Sequence, residues 1–172
     1  MGEVSFFKAL SLQLENGLKL IQVREKQLSR EALIAFAHKI IAAARPLGAR
    51  VLMNADLDDV IKAGADGIHL NSSALMELSD KPNELLVAAS CHNAQEMVKA
   101  TELNLDFVVL SPVLPTRSHP EAQGMGWETF SNIKQDYPLP VYALGGMQYS
   151  ELQNAWQAGA HGIAMQRAAW EK

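Results

Sequence analysis

Short apolar runs alternate with helical apolar stripes along the whole chain. Brief runs bounded by glycine or charge are typical of buried strands, whereas apolar residues three and four positions apart are typical of amphipathic helices. These patterns predict helices at 4–15, 29–44, 57–63, 72–78, 93–102, 127–136 and 148–158. They predict strands between the helices, at 18–23, 50–53, 66–70, 84–89, 106–110, 140–144 and 162–165. Ser29 and Asn93 stand where side chains cap helix amino termini.

The strict alternation of strand and helix, with mostly short connections, predicts a parallel sheet wrapped in helices. One phrase recurs, as Ala-Gly-Ala-Asp-Gly-Ile-His-Leu at 63–70 and Ala-Gly-Ala-His-Gly-Ile-Ala-Met at 158–165, each joining a helix end to a strand. A closed eightfold barrel needs a strand before its first helix, and the pattern offers none. We therefore predict an α/β fold of the TIM (β/α)8 barrel type that lacks its first strand. Either the barrel is open, or that strand lies in sequence upstream of Met1.

Composition is that of one globular domain. The chain has 172 residues, 48% of them hydrophobic and 20% charged, which is enough to bury a sizeable core. We expect a single barrel domain over residues 1–172, and we expect it to be a fragment of a longer polypeptide.

A net charge of -4 and a pI near 5.7 argue against a nucleic-acid surface. There is no long apolar span or signal peptide pattern, and the single cysteine, Cys91, fits a reducing cytoplasm.

Residues 20–26, Leu-Ile-Gln-Val-Arg-Glu-Lys, are the most informative stretch of the chain. An apolar strand carries Gln22, Arg24 and Lys26 at every second position, so we expect these three side chains to share one face. Arginine offers a planar fork of donors and lysine a compact charge, and both suit phosphate oxygens. The alternative interpretation, an ordinary solvated strand end, is equally consistent with the spacing alone.

Other predicted strand ends also supply polar groups, and in a barrel these ends meet at one mouth. The second strand is followed by Asn54, the third includes His69, and the fourth precedes Ser90 and His92. A histidine satisfied by the backbone is the favoured interpretation for His69. A reactive thiolate pair of Cys91 with His92 is disfavoured, because adjacent strand residues point to opposite faces.

The fifth predicted strand opens a long loop over residues 111–125, rich in hydroxyl groups, glycine and proline. Its residues Thr116, Arg117, Ser118 and His119 could wrap an anion with side chains and backbone amides together. A plain surface loop is the alternative, although long loops in compact domains are more often functional.

The last two strand ends offer Gly145 and Gly146 before a helix, and Gln166 and Arg167 before the tail. Paired glycines allow close approach of a ligand, and a following helix presents free amides, which favours a phosphate site there. A glycine pair is by itself weak support, since many turns use it.

Taken together these stretches resemble the thiamine-phosphate synthase and thiazole tautomerase (TenI) family. The resemblance covers nearly the whole chain and rests on five stretches: Gln22-Val-Arg-Glu-Lys26, Asn54 with 63–70, Ser90-Cys-His92, Ser111-Pro-Val-Leu-Pro-Thr116, and Leu144-Gly-Gly146. The tautomerases carry a catalytic histidine where this chain has Pro112, so the synthase branch is the closer match. The family fold is a TIM barrel, and its first strand is the one that the pattern lacks.

The resemblance implies a transferase of thiamine biosynthesis. Such enzymes join hydroxymethylpyrimidine diphosphate to thiazole phosphate, giving thiamine phosphate and diphosphate, normally with Mg²⁺. Carried over, Arg24, Lys26 and Ser90 would be catalytic. The remaining matched positions would bind the substrates. Those for the pyrimidine diphosphate are Gln22, Asn54, Thr116 and Ser118, with His119 at the position of a family lysine and Arg117 as its substitute. Those for the thiazole phosphate are Gly145, Gly146, Gln166 and Arg167.

Two departures from the family pattern concern the metal. The family binds Mg²⁺ with an aspartate directly after the asparagine and a second beyond the Gly-Ile-His motif, and this chain has Ala55 and Ala74 there. Alanine cannot coordinate a hard cation, and Asp56 is one residue late. We therefore assign no metal ligands, and we expect metal and diphosphate handling to be weakened while the phosphate pocket survives.

Three function classes stay open on the sequence. The first is an active synthase. The second is a catalytically impaired phosphate-binding or regulatory domain. The third is a structural or fused partner, since barrels of this family also occur fused to Nudix hydrolase domains. Two phosphorylated small molecules, a fused Nudix domain and further copies of the chain are the expected partners, and neither nucleic acid nor membrane is.

Overall fold

The computed structural model describes residues 2–116 and 123–170. Strands and helices alternate through these residues as the pattern predicts. The helices are α1 (Glu3–Glu15), α2 (Arg30–Ala44), α3 (Leu57–Ala63), α4 (Ser72–Glu77), α5 (Ala94–Glu102), α6 (Gly126–Lys134) and α7 (Leu152–Gln157). The strands are β1 (Leu20–Val23), β2 (Arg50–Met53), β3 (Gly67–Leu70), β4 (Leu86–Cys91), β5 (Phe107–Leu110), β6 (Val141–Ala143) and β7 (Gly162–Ile163).

The chain divides into two compact units, Met1–His69 with Asn83–Leu86, and Leu70–Pro82 with Val87–Lys172. In the first unit β1 pairs with β2 and β2 with β3, all parallel, and α2 packs on β2 and α3. In the second unit β4, β5, β6 and β7 pair in sequence order, again all parallel. That residues 1–172 form one barrel domain stays a prediction.

Capping residues set the helix boundaries. The Ser29 hydroxyl accepts a hydrogen bond from the Ala32 amide at 3.3 Å, and the Asn93 side chain accepts one from the Glu96 amide at 3.0 Å, which confirms both predicted caps. Asn71 caps α4 in the same way through the Ala74 amide, at 2.9 Å. The helix α3 ends on Gly64, whose φ of 62° lies in the left-handed region that closes many helices.

Two aspartates that directly precede a strand, Asp66 and Asp106, form hydrogen bonds with the preceding strand of the same unit. The Asp66 carboxylate accepts a 2.8 Å hydrogen bond from the Val51 amide, while its own amide donates to the Val51 carbonyl. Asp106 binds the Val87 amide at 2.7 Å in the same way. Asp66 in the first copy of the repeated phrase therefore has a structural reason, because its carboxylate satisfies the backbone at the start of a buried strand, whereas the second copy has His161 at this place.

Several element boundaries differ from expectation. β4 runs two residues later than predicted, so Ser90 lies within the strand, not after it. β7 is only two residues long, which leaves Gln166 and Arg167 beyond the strand end. The predicted helix at 148–158 begins as a 3-10 turn, Tyr149–Glu151, before α7. Such boundaries are set by hydrogen bonding that apolar periodicity does not encode.

Buried apolar side chains fill the interior of each unit. Val51, Leu52 and Met53 of β2 and Val108 and Leu110 of β5 are essentially inaccessible to water. Among the described residues, no helix has both the length and the apolar character needed to cross a membrane.

Candidate active site at the strand ends

The strand register of the first unit brings Arg24, Asn54 and His69 to neighbouring positions. Val23 pairs with Met53 and Met53 with Ile68, so the three residues directly follow one row of paired residues. The Asn54 amide nitrogen donates its backbone hydrogen bond to the Val23 carbonyl at 2.9 Å. Its side-chain nitrogen donates to the His69 carbonyl at 2.7 Å. With the nitrogen so engaged, the orientation of the Asn54 side chain is fixed before any ligand arrives.

His69 is buried, with only 3% of its surface exposed. Burial, and secondarily the positive charge of Arg24, lowers the pKa of His69 from 6.5 to about 4. The imidazole is therefore neutral at physiological pH and leaves the local positive charge to Arg24. This agrees with the interpretation of His69 as an internal histidine.

Gln22 and Arg24 are exposed, whereas Val23 between them is buried. This alternation agrees with a polar face opposite the core. β1 ends at Val23, so Arg24 and Lys26 both follow the strand, Lys26 in a turn, and both are exposed. That all three side chains share one face stays a prediction.

At the two positions where the resemblance places Mg²⁺ ligands, this part of the described chain offers no ligand side chain. Ala55 follows Asn54 and Ala74 lies in the first turn of α4, and neither has a ligand atom on its side chain. Asp56 stands at the amino end of α3, is exposed, and makes no capping hydrogen bond through its side chain. Within residues 2–116 and 123–170, no group of three or more His, Cys, Asp or Glu side chains is placed to hold a metal ion.

In the second unit, β4 ends in Ser90 and Cys91 and leads into His92. Ser90 is partly exposed, while Cys91 is fully buried. Burial, with a smaller contribution from Glu96, raises the pKa of the Cys91 thiol to about 12. A thiol with that pKa is protonated at neutral pH, which agrees with the expectation that Cys91 and His92 do not form a reactive thiolate pair.

Hydrogen bonds of Ser111 with Cys91 and His92 join the carboxyl ends of β4 and β5. The Ser111 amide donates to the Cys91 carbonyl at 3.0 Å. In the other direction, Nδ1 of His92 lies 2.8 Å from the Ser111 carbonyl oxygen. A carbonyl only accepts, so Nδ1 carries the proton. The sequence places both residues at strand ends but gives no signal that they bind each other.

The Gly145–Gly146 turn is closely covered by the start of the long loop. The Val113 amide donates to the Leu144 carbonyl at 2.9 Å, and the Leu114 amide donates to the Gly145 carbonyl at 3.1 Å. A Cβ atom on Gly145 would lie 2.8 Å from Pro112, and one on Gly146 would lie 2.7 Å from the Leu114 Cβ. Close approach does explain the paired glycines, but the approaching group is the protein's own loop. Binding of a phosphate here stays a prediction.

The remaining predicted residues are only partly described. Thr116 is partly exposed and is the last described residue before a gap, and Arg117, Ser118 and His119 lie outside the described residues. Gln166 and Arg167 are exposed after β7.

Comparison with known proteins gives a consistent family and fold. Residues 2–169 match the family model described as "Thiamine monophosphate synthase". The chain is 33% identical over 163 residues to "Putative thiamine-phosphate synthase 2" of Aquifex aeolicus (strain VF5), covering 93% of this chain and 87% of that protein. It is 31% identical over 158 residues to "Thiamine-phosphate synthase" of Thermosynechococcus vestitus, covering 90% of this chain but only 45% of that longer protein.

Among solved structures, the chain is similar to "Thiamine phosphate pyrophosphorylase from Pyrococcus furiosus", with a TM-score of 0.79 and 21% identity over 95% of this chain and 83% of that chain. At this identity the likeness shows the fold alone. Together with the seven parallel strands, it confirms the predicted α/β fold of the TIM barrel type lacking one strand.

Proposed function

Because the chain belongs to the thiamine monophosphate synthase family, we propose that it acts in thiamine biosynthesis as a transferase that makes thiamine phosphate. Its substrates would be hydroxymethylpyrimidine diphosphate and thiazole phosphate. The bond between the pyrimidine methylene carbon and the diphosphate oxygen breaks, and its electron pair leaves with the diphosphate. The lone pair of the thiazole nitrogen then forms the new carbon–nitrogen bond.

The observation that carries this proposal is the Arg24, Asn54 and His69 row in the first unit. Cleavage leaves extra negative charge on the departing diphosphate, so catalysis needs donors that strengthen their interaction as that charge develops. Arg24 supplies a permanent charge, and the neutral His69 in the same row does not add a second one. Asn54 is held in place by its bond to the His69 carbonyl. Gln22 and Lys26 of the same unit supply further donors for the diphosphate. For Ser90, Thr116, Arg117, Ser118 and His119, a role with the diphosphate rests on the family resemblance alone.

For the thiazole phosphate we propose the second unit's Gly145–Gly146 turn with the backbone at Gln166 and Arg167. Positive φ angles of 95° and 69° at the two glycines turn the backbone in a way that other residues adopt rarely. Backbone amides presented by such turns are suited to phosphate oxygens.

Family enzymes normally use Mg²⁺, whereas this chain has Ala55 and Ala74 where the resemblance places the family's metal-binding aspartates. We propose that the protein binds no Mg²⁺ in the absence of diphosphate, and that Arg24 and Lys26 carry the charge neutralisation that its own residues supply. Titration calorimetry with Mg²⁺ alone should show no binding. Tight binding to the free protein would mean that Asp56 or another carboxylate serves as a ligand.

A second candidate function is favoured by Ala55 and Ala74. In this case the chain is a catalytically impaired phosphate-binding or regulatory domain. An end-point assay separates the two: the synthase releases thiamine phosphate and diphosphate in equal amounts when given both precursors. The impaired domain releases neither, yet thiazole phosphate still raises its melting temperature.

We also propose a family branch, a cellular location and partners for the chain. The resemblance supports the synthase branch of the family and fusion to a Nudix hydrolase domain. The single cysteine favours a cytoplasmic location, and the unpaired strand edges that a missing barrel strand would leave favour association into a homo-oligomer. The native gene sequence around this region tests the fusion, and the measured mass of the purified protein in solution tests the association.

A further inference from the structure

The bond between His92 and Ser111 occupies a gap in the backbone hydrogen bonding of the second unit. The backbone amides of Ser111 and Val113 donate hydrogen bonds to the carbonyls of Cys91 and Leu144. Pro112 between them has no N–H to contribute. The imidazole of His92 supplies the bond at this point, by donating from Nδ1 to the Ser111 carbonyl at 2.8 Å.

His92 itself is held by the first turn of α5. The Glu96 carboxylate accepts from the His92 backbone amide at 2.6 Å and from the Asn93 side chain at 3.0 Å. The Asn93 oxygen in turn accepts from the Glu96 amide at 3.0 Å. This reciprocal arrangement is a variant of the capping box, and it fixes the backbone from which the imidazole projects.

The segment that His92 holds reaches residues proposed for both substrates. It continues to Thr116, which we assign to the diphosphate. Its Val113 and Leu114 amides bind the carbonyls of Leu144 and Gly145, in the turn that we assign to the thiazole phosphate. Gly124 reinforces the fit from the far end of the loop, since a Cβ there would lie 2.4 Å from the Val113 carbonyl oxygen.

We infer that His92 is a positioning residue, which through the Ser111 carbonyl fixes the segment 111–116 against the Leu144–Gly146 turn and so sets the affinity for both substrates. The inference rests on the proposed function for its substrates. Its geometry, however, is independent of catalysis. The role needs only the Nδ1–H donor of the ring, and Nε2 has no part in it.

Replacing His92 by asparagine or glutamine tests this requirement. An asparagine side-chain nitrogen occupies nearly the position of Nδ1, whereas a glutamine nitrogen lies nearer that of Nε2. We expect His92→Asn to keep KM for both precursors close to wild type. His92→Gln and His92→Ala should raise both KM values roughly tenfold, as expected for one lost hydrogen bond and a stranded carbonyl, with a smaller change in kcat.

His38→Ala is the matched control, because His38 is also exposed and its ring also lies near a backbone carbonyl, that of Lys62 at 3.2 Å. It should leave both KM values unchanged. If His92→Asn behaved like His92→Ala, the imidazole would act through Nε2 and the inference would be overturned. Unchanged KM values in His92→Ala would overturn it as well.

Amide hydrogen exchange of the substrate-free protein separates failure of this inference from failure of the proposed function. His92→Ala should speed exchange at Val113 and Leu114, while His92→Asn should not. If wild-type protein makes no thiamine phosphate but the exchange pattern holds, the positioning role stands and the proposed reaction falls. Slow exchange at both amides in His92→Ala would refute the positioning role whatever the activity.

Discussion

At the scale of single residues, the first unit places a charged side chain, Arg24, and a neutral one, His69, in the same row of strand ends. Arg24 is exposed and permanently charged, whereas His69 is 3% exposed and loses its proton readily. A charged His69 would have to be desolvated beside Arg24, which is costly. The sequence gives the two residue types, but only the strand register shows that they are neighbours.

This arrangement makes stability depend on pH through His69. With a pKa of about 4 when folded and 6.5 when unfolded, the unfolded chain binds more protons between those values. Above pH 6.5 His69 should therefore not reduce the free energy of unfolding. As the pH drops from 6.5 toward 4, the free energy of unfolding should fall. The largest loss is on the order of 3 kcal/mol.

Urea unfolding at a series of pH values measures this effect. His69→Asn should show a shallower loss of stability on acidification than wild type. Replacing the exposed His161 by asparagine is the control and should leave the wild-type slope in place. Equal slopes for wild type and His69→Asn would mean that His69 is not the group responsible.

At the scale of secondary structure elements, the aspartates before β3 and β5 show what a sequence repeat can and cannot predict. The recurring phrase predicts a turn followed by a buried strand, and that prediction is confirmed. It does not predict that the Asp66 carboxylate binds the amide of Val51, the second residue of the preceding strand, and it does not include Asp106, which binds Val87 in the same way. Such pairing depends on which strands lie side by side, which periodicity cannot encode.

The Asp66 bond should be important for stability of the first unit. Val51 is fully buried, so Asp66→Ala would leave its amide without that acceptor and without access to water. We expect a loss of about 1–3 kcal/mol in the free energy of unfolding. Denaturant titration checks this, with Asp80→Ala as an exposed control that should change little. Equal stability of the two variants would argue against the Asp66 bond.

The two glycines of the β6–α7 turn were predicted to admit a ligand closely, and the structure places the protein's own loop against them. Gly146 and Gly48 form a matched pair, because their φ angles are 69° and 68°. An added Cβ would meet Leu114 and Pro115 at Gly146 and nothing within 4 Å at Gly48. The difference between alanine variants therefore isolates the packing of the loop on the turn.

We expect Gly48→Ala to cost about 1 kcal/mol for the backbone conformation alone. Gly146→Ala should cost roughly 1–3 kcal/mol more from overpacking, and it should weaken binding of thiazole phosphate. Thermal unfolding and calorimetric titration measure the two effects. Identical behaviour of both variants would show that the loop does not pack on this turn.

At the scale of the whole molecule, alternation of apolar runs and helical stripes predicted a parallel sheet wrapped in helices, and the family resemblance identified that sheet as a TIM barrel lacking one strand. Parallel strands joined by helices have few packing solutions, so a periodic sequence constrains them strongly. Strand ends were predicted less well, as Ser90 within β4 and Lys26 in a turn show. Side-chain roles at the ends depend on contacts across the fold, and these the sequence pattern does not contain.

The account depends most on Arg24 as the cation that meets the departing diphosphate. Arg50 is its matched control, because both arginines are exposed and lie at opposite ends of the paired strands β1 and β2. The decisive measurement is kcat/KM for thiamine phosphate formation by wild type, Arg24→Ala and Arg50→Ala. The account predicts measurable turnover by wild type, a loss of roughly 100- to 1000-fold in Arg24→Ala, and little change in Arg50→Ala. Equal activity of the two variants, or no product from folded wild-type protein, would contradict it.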